Sequence, residues 1–135
     1  MANQGIINKQ RPLRLDSPVG QIYDSWVAGT MDKNQWFQVS FLSLKDVVAI
    51  ATQGRPADMW PSNHWVTAYK IQYTVDGITW LSYDYGRIFE GNSDATTIVT
   101  NQLREPLKAR AIRINPISWN IYISMRAEIY ILSDQ

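Results

Sequence analysis

Cysteine is absent from the 135 residues, and histidine occurs once, as His64. The first absence excludes a disulfide framework, thiolate metal sites and a cysteine nucleophile, and the second excludes a multi-histidine metal centre. An excess of charge is also lacking. Thirteen Lys and Arg stand against 12 Asp and Glu, a formal net of +1. So small a field argues against nucleic acid as a partner and gives no bulk attraction to an anionic membrane. No apolar run reaches the roughly 18 residues of a spanning helix. The opening MANQGIINKQRPLRL carries Lys9, Arg11 and Arg14 but no apolar signal-peptide core. The chain as given therefore reads as neither membrane-spanning nor conventionally exported. It also has no myristoylation glycine after Met1 and no Asn-X-Ser/Thr acceptor.

What the chain does have is aromatic side chains, six Trp and seven Tyr. At this length one domain is expected, with a core that needs no covalent staples. Period-two alternation dominates. Its best example runs from Ile121 to Ile131, with Ile121, Ile123, Met125, Ala127, Ile129 and Ile131 on one face and Tyr122, Ser124, Arg126, Glu128 and Tyr130 on the other. Similar patterns predict strands over Gln35 to Leu42 (Phe37, Val39 and Phe41 inward), Val47 to Thr52, Trp65 to Thr74, Ile78 to Tyr83, Thr96 to Asn101 and Lys108 to Asn115. Asp76-Gly77 between two of these runs is a hairpin signal. No window of ten residues carries a helical face, and there is no repeat or low-complexity tract. The expectation is an all-β fold, an antiparallel β-sandwich or jelly roll. Residues 1–13 read as an N-terminal arm, mobile or docked through Ile6 and Ile7, ahead of a single domain over residues 14–135.

Several segments in succession, QWFQVSF, VVAIATQGR, WVTAYKIQYTVDGITWLSY, FEGNSDATTIV, PLKARAIRINPISWN and IYISMRAEIY, resemble the motifs of the discoidin domain, also called the coagulation-factor type C domain. The likeness runs from about Arg14 to Tyr130 and leans toward the lectin members. It implies an eight-stranded jelly roll in two packed sheets, with ligands bound by loops at one end. Members bind galactose-type sugars, anionic phospholipids or protein ligands such as collagen, and none of these roles is enzymatic. Two departures stand out. The segment ahead of Arg14-Leu15-Asp16-Ser17 is short, which implies a missing or reshaped first binding loop. The family's paired terminal cysteines are absent, which fits synthesis in the cytoplasm without a signal peptide and action at the cell surface or outside the cell after non-classical release.

The segment Arg55-Pro56-Ala57-Asp58-Met59-Trp60-Pro61-Ser62-Asn63-His64 joins two strand patterns, and its prolines cannot continue a central ladder. Met59 and Trp60 then sit near a loop tip. They are a platform for a sugar's apolar face, a spike that enters lipid, or an apolar pair folded back onto the barrel end. Arg55 resembles an arginine with which relatives make polar ligand contacts, and an ion pair with Asp58 is the plainer alternative. His64 is a ligand contact or an ordinary hydrogen-bonded histidine. Asp16 faces the ligand end or caps the turn before Pro18. Asn120 faces the ligand end, beside Trp119, which reads as packing. The remaining tryptophans, Trp26, Trp36, Trp65 and Trp80, also read as packing, and Arg126 resembles an internal packing arginine of the family.

The candidate ligand-binding residues are thus Asp16, Arg55, Asp58, Met59, Trp60, His64 and Asn120, with no catalytic or metal-ligating residue. No cofactor is expected. Asp and carbonyl groups could build a calcium site, but no ligand series of the EF-hand type occurs. No nucleophile–base pairing, phosphate-binding glycine loop or distinctive carboxylate spacing points to an enzyme. The leading expectation is a non-catalytic module for galactose- or N-acetylgalactosamine-type glycans or glycoconjugates, acting in cell-surface recognition or adhesion as a homo-oligomer that multiplies weak sites. The alternatives are peripheral binding to anionic phospholipid through the apolar loop, and a protein-binding adhesion module.

Overall fold

The structure, a computed structural model, describes residues 5–8, 26–55 and 63–132. Its strands are β1 (Gly5–Asn8), β2 (Trp26–Val27), β3 (Phe37–Gln53), β4 (Trp65–Thr74), β5 (Leu81–Ser82), β6 (Phe89–Glu90), β7 (Val99–Asn120) and β8 (Ser124–Ile131). Among the described residues the only helical element is a single 3-10 turn, Tyr83–Tyr85. The all-β expectation holds.

Two long strands build both layers. β3 and β7 pair antiparallel in three stretches, from Phe37↔Ile114 to Ser40↔Ala111, from Lys45↔Ala109 to Val47↔Leu107, and from Ala49↔Gln102 to Thr52↔Val99, with register shifts between them. At these shifts the ladder is irregular, which lets each strand bend from one sheet into the other. The first half of β3 and the second half of β7 form one layer with β4, which runs beside β7 from Trp65↔Asn120 to Thr74↔Ala111. β5 and β6 lie along the free edge of β4. The second half of β3 pairs with β8 from Val47↔Ile131 to Gln53↔Arg126, and β2 closes that layer against β8. The backbone of Gly5–Asn8 docks parallel to Phe37–Ser40, so this part of the N-terminal arm belongs to a sheet.

The core lies between the layers. Phe37, Val39 and Phe41 are buried as their alternation predicts, with Val47, Ile50, Val66, Tyr69, Ile71, Phe89, Ile112, Ile114, Ile123 and Met125. Each large side chain so buried contributes about 2 kcal/mol. Trp26 packs on Phe37 with ring centroids 5.0 Å apart, the packing role expected of it.

Two predicted strands begin late, for the same reason. Asp76 accepts hydrogen bonds from the amides of Ile78 (2.8 Å) and Thr79 (2.7 Å), taking those donors from the ladder. The run from Ile78 to Tyr83 therefore contributes only Leu81–Ser82. Asp94 likewise holds the amides of Thr96 (3.0 Å) and Thr97 (2.7 Å), and β7 starts at Val99 instead of Thr96. Ile121, assigned to the core face by alternation, instead adopts φ 69° and is 56% exposed. The chain turns there, with the Tyr122 amide donating to the Asn120 carbonyl at 2.8 Å.

Candidate functional site

At one end of the sandwich β3 runs out and β4 begins. Arg55 and His64 exchange backbone hydrogen bonds, Arg55 N–H to the His64 carbonyl at 2.8 Å and His64 N–H to the Arg55 carbonyl at 3.1 Å. This bridge ties the chain just past β3 to the residue before β4. Gly54 lets three segments meet there, since a Cβ would lie 2.5 Å from the His64 carbonyl oxygen and 2.9 Å from the Ala95 Cα. Beneath it, Arg126 is 3% exposed, and its guanidinium donates to the carbonyls of Gly54 (2.8 Å) and Ala95 (3.3 Å). The internal role expected of Arg126 is the one it has.

Next to this bridge lies a cavity of about 520 Å³, lined by Trp65, Thr67, Glu90, Asn92, Ser93 and Val99, with Gly91 at its base. Trp65 and Thr67 flank the buried Val66 and so stand on the outward face of β4. Opposite them the chain leaves β6 and presses onto β4, with the Gly91 amide donating to the Thr67 carbonyl and the Asn92 amide to the Val66 carbonyl, both at 2.8 Å. The approach requires glycine, because a Cβ on Gly91 would collide with the Val66 carbonyl oxygen.

The cavity is held rigidly. Asn92 is buried, accepts from Thr52 Oγ1 at 2.9 Å, and donates through Nδ2 to the carbonyls of Thr52 (3.1 Å) and Thr97 (2.8 Å). Asp94 ties off the loop through the Thr97 and Thr96 amides and Thr97 Oγ1, and these bonds hold its carboxyl below the usual carboxylate range. Asn101 Nδ2 donates to the Glu90 carbonyl at 2.8 Å and to the Tyr69 hydroxyl at 3.2 Å. Tyr69 is fully buried, and burial pushes its phenol up to about 12. The result is a preformed recess offering an indole, hydroxyls and one carboxylate. Among the described residues no three His, Asp or Glu side chains gather where they could hold a metal ion.

Of the residues singled out from sequence, Arg55, His64 and Asn120 meet at this end. Asn120 pairs with Trp65 across β7 and β4, and its Nδ2 donates to the Asn63 carbonyl at 3.4 Å. Arg55 is half-buried just past the end of β3. His64 is 3% exposed, with its imidazole 5.0 Å from the Tyr122 ring. Asp16, Asp58, Met59 and Trp60 lie outside the described residues.

Sequence reasoning missed Trp65, Thr67, Glu90 and Ser93. For Trp65 and Thr67 the signal was present, because alternation about an inward Val66 turns both of them outward. Glu90 and Ser93 are brought there by β6 pairing with β4, which a two-residue strand does not announce. Trp36 and Trp80 do pack, but on the outer face of the sheet. Their rings enclose the Arg113 guanidinium from two sides, each 3.8 Å from it.

Comparison with known proteins places this geometry. The F5/8 type C domain profile matches residues 6–129. Discoidin-2 of Dictyostelium discoideum is 42% identical over 109 residues, covering 81% of this chain and 41% of that protein. The structure of recombinant discoidin II of Dictyostelium discoideum superposes with a TM-score of 0.81 at 38% identity, over 90% of this chain and 49% of that one. The chain thus spans less than half the length of these relatives. A family 32 CBM from Clostridium perfringens NanJ, solved in complex with galactose, shares the fold at a TM-score of 0.52 and 19% identity, over 81% of this chain and 80% of that one.

Proposed function

The chain belongs to the F5/8 type C domain family, and from that premise we propose that it is a non-catalytic carbohydrate-binding module whose ligands are galactose- or N-acetylgalactosamine-type glycans on cell surfaces. The observation that carries this reading is the rigid recess of Trp65, Thr67, Glu90 and Ser93. A pyranose needs an apolar surface for its C–H face and a mixture of donors and acceptors for its hydroxyls. The indole supplies the first. Glu90 accepts, and the hydroxyls of Thr67 and Ser93 donate or accept. Binding needs no bond to be made or broken, and no residue here is arranged as a nucleophile beside a base.

A carboxylate at the rim disfavours phosphate, so the recess favours a neutral glycan over an anionic lipid headgroup. The lipid alternative rests on Met59 and Trp60, outside the described residues. A single small site binds weakly, so adhesion calls for several copies, and we extend the proposal to a homo-oligomer acting at the cell surface.

A glycan array with and without chelator, followed by calorimetry with galactose and N-acetylgalactosamine, tests the reading. Metal-independent binding to galactosides, weakened about tenfold in Glu90→Gln/Ser93→Ala, is expected. An array without galactoside binding sinks it.

A further inference from the structure

A second cavity lies elsewhere on the sandwich. It measures about 310 Å³ and is lined by Tyr73, Tyr83, Asp84, Arg104, Glu105 and Leu107, with Pro106 between the last two. Tyr73 stands near the far end of β4 from Trp65. At roughly 3.3 Å per residue the two cavities are about 26 Å apart along the strand, too far for one monosaccharide to reach both.

The backbone that presents Asp84 is strained. Asp84 (φ 50°), Tyr85 (φ 58°) and Gly86 (φ 82°) are three successive residues in the left-handed region. Glycine is free there and aspartate tolerates it, but a bulky aromatic residue rarely adopts it. The turn is closed by the Gly86 amide on the Tyr83 carbonyl (3.0 Å) and the Arg87 amide on the Tyr83 and Asp84 carbonyls (3.2 and 3.1 Å). Strain of this kind collects where a side chain must be aimed at a ligand. Here it brings the Asp84 carboxylate to the cavity beside two phenol rings. Asp84, Arg104 and Glu105 also make no side-chain hydrogen bond or ion pair among the described residues, so their polar atoms are not committed to the fold.

We infer that this cavity is a second saccharide site, independent of the one at the Arg55–His64 end, and that it makes a single domain bivalent for neutral glycans. The choice of ligand rests on the carbohydrate-binding reading above. Tyr73 and Tyr83 are packed in part against the core, Tyr83 stacked on Phe89 with ring centroids 5.8 Å apart. The parts of their rings that line the cavity meet the C–H face of a sugar, while Asp84 and Glu105 accept from its hydroxyls and Arg104 donates. Two carboxylates against one guanidinium turn away sialylated, sulfated and phosphorylated ligands. The site thus takes an uncharged, hydroxyl-rich ring.

Nitrogen-15 amide spectra titrated with galactose, N-acetylgalactosamine, glucose and mannose, with sialic acid as the anionic comparator, test this. Two separate groups of amides are expected to shift with at least one neutral sugar, one around Glu90 to Ser93 and one around Tyr83 to Arg87 and Arg104 to Leu107. Arg104→Ala/Glu105→Ala, at exposed positions that leave folding intact, weakens only the second site, about tenfold, so that its amides shift only at correspondingly higher sugar concentration. Glu90→Gln/Ser93→Ala weakens only the first. A wild-type titration that moves only the first group overturns the second site and leaves the proposed function standing. Loss of both groups in every sugar overturns both, and preference of the second group for sialic acid overturns its assignment to neutral glycans.

Discussion

Two tryptophan environments on the outward side of one sheet are chemically alike and differently completed. Trp36 and Trp80 hold Arg113 between them at 3.8 Å from each ring, and Arg113 Nε donates to Gln38 Oε1 at 3.1 Å. Burial between the rings lowers the Arg113 pKa. Trp65, also half-buried, has no such partner among the described residues and lines a cavity of about 520 Å³. An outward tryptophan is therefore no sign of a ligand in itself. What matters is whether the chain already supplies the group that covers its indole. In the closed stack the guanidinium pins β3, β7 and the segment before β5 together, whereas no described cation covers the indole in the open recess.

The strongest way to break this comparison is from beneath the open side. Arg126→Ala removes the donors to the Gly54 and Ala95 carbonyls in a buried setting, and is expected to cost about 3 kcal/mol of stability by urea denaturation. Sugar binding should fall with it, because the Arg55–His64 bridge and the Gly91 loop share that support. A loss below about 1 kcal/mol would mean that the end is held by other contacts.

The sharpest separation comes from exchanging the damage. Trp80→Ala opens one side of the closed stack and is expected to lower stability by about 2 kcal/mol while leaving galactoside affinity unchanged. Trp65→Ala should do the reverse, weakening affinity about tenfold with a smaller effect on the melting temperature. Equal effects of the two variants on affinity would erase the distinction. A subtler probe is Arg113→Lys, which keeps the charge but loses the planar stack. It should cost about 1 kcal/mol and leave the recess as it was, as paired melts and titrations would register.

Much of the architecture could be read from alternation and motif order. Trp65 to Thr74 was bounded correctly, and Phe37, Val39, Phe41, Ile123, Met125 and Ile129 were placed on the core face. Alternation could not see the competing local bonds. Asp76 and Asp94 each withdraw two amides from a predicted strand, and Ile121 takes a left-handed turn that an isoleucine does not advertise. At the candidate site, Asn120 was brought to the segment of Arg55 and His64, while the contact between His64 and Tyr122 is one that sequence spacing does not reveal. The recess itself was missed because Trp65 was counted as packing by its place in a strand, and its partners come from a two-residue strand and a tight loop.

Each tryptophan environment also has its own carboxylate clasp, and acid should loosen both. Asp94 closes the loop over the open recess, and Asp76 closes the hairpin that leads to Trp80. Amide hydrogen bonds, above all from Thr79 and Ile78, draw the Asp76 carboxyl down to about 2, and those from Thr97 and Thr96 lower Asp94 in the same direction. A carboxylate whose pKa is depressed by folding binds protons less readily in the folded chain than in the unfolded one. Its stabilisation is therefore complete above the unfolded value near 4 and disappears as pH falls through the folded value. The melting temperature should decline between about pH 4 and pH 2, by a modest amount because both groups are exposed and screened by solvent. Asp76→Asn should flatten that decline without touching sugar affinity, whereas Asp94→Asn should flatten it and also loosen the recess. A decline of unchanged steepness in both variants would place the acid sensitivity in other carboxylates and leave the two clasps as geometry alone.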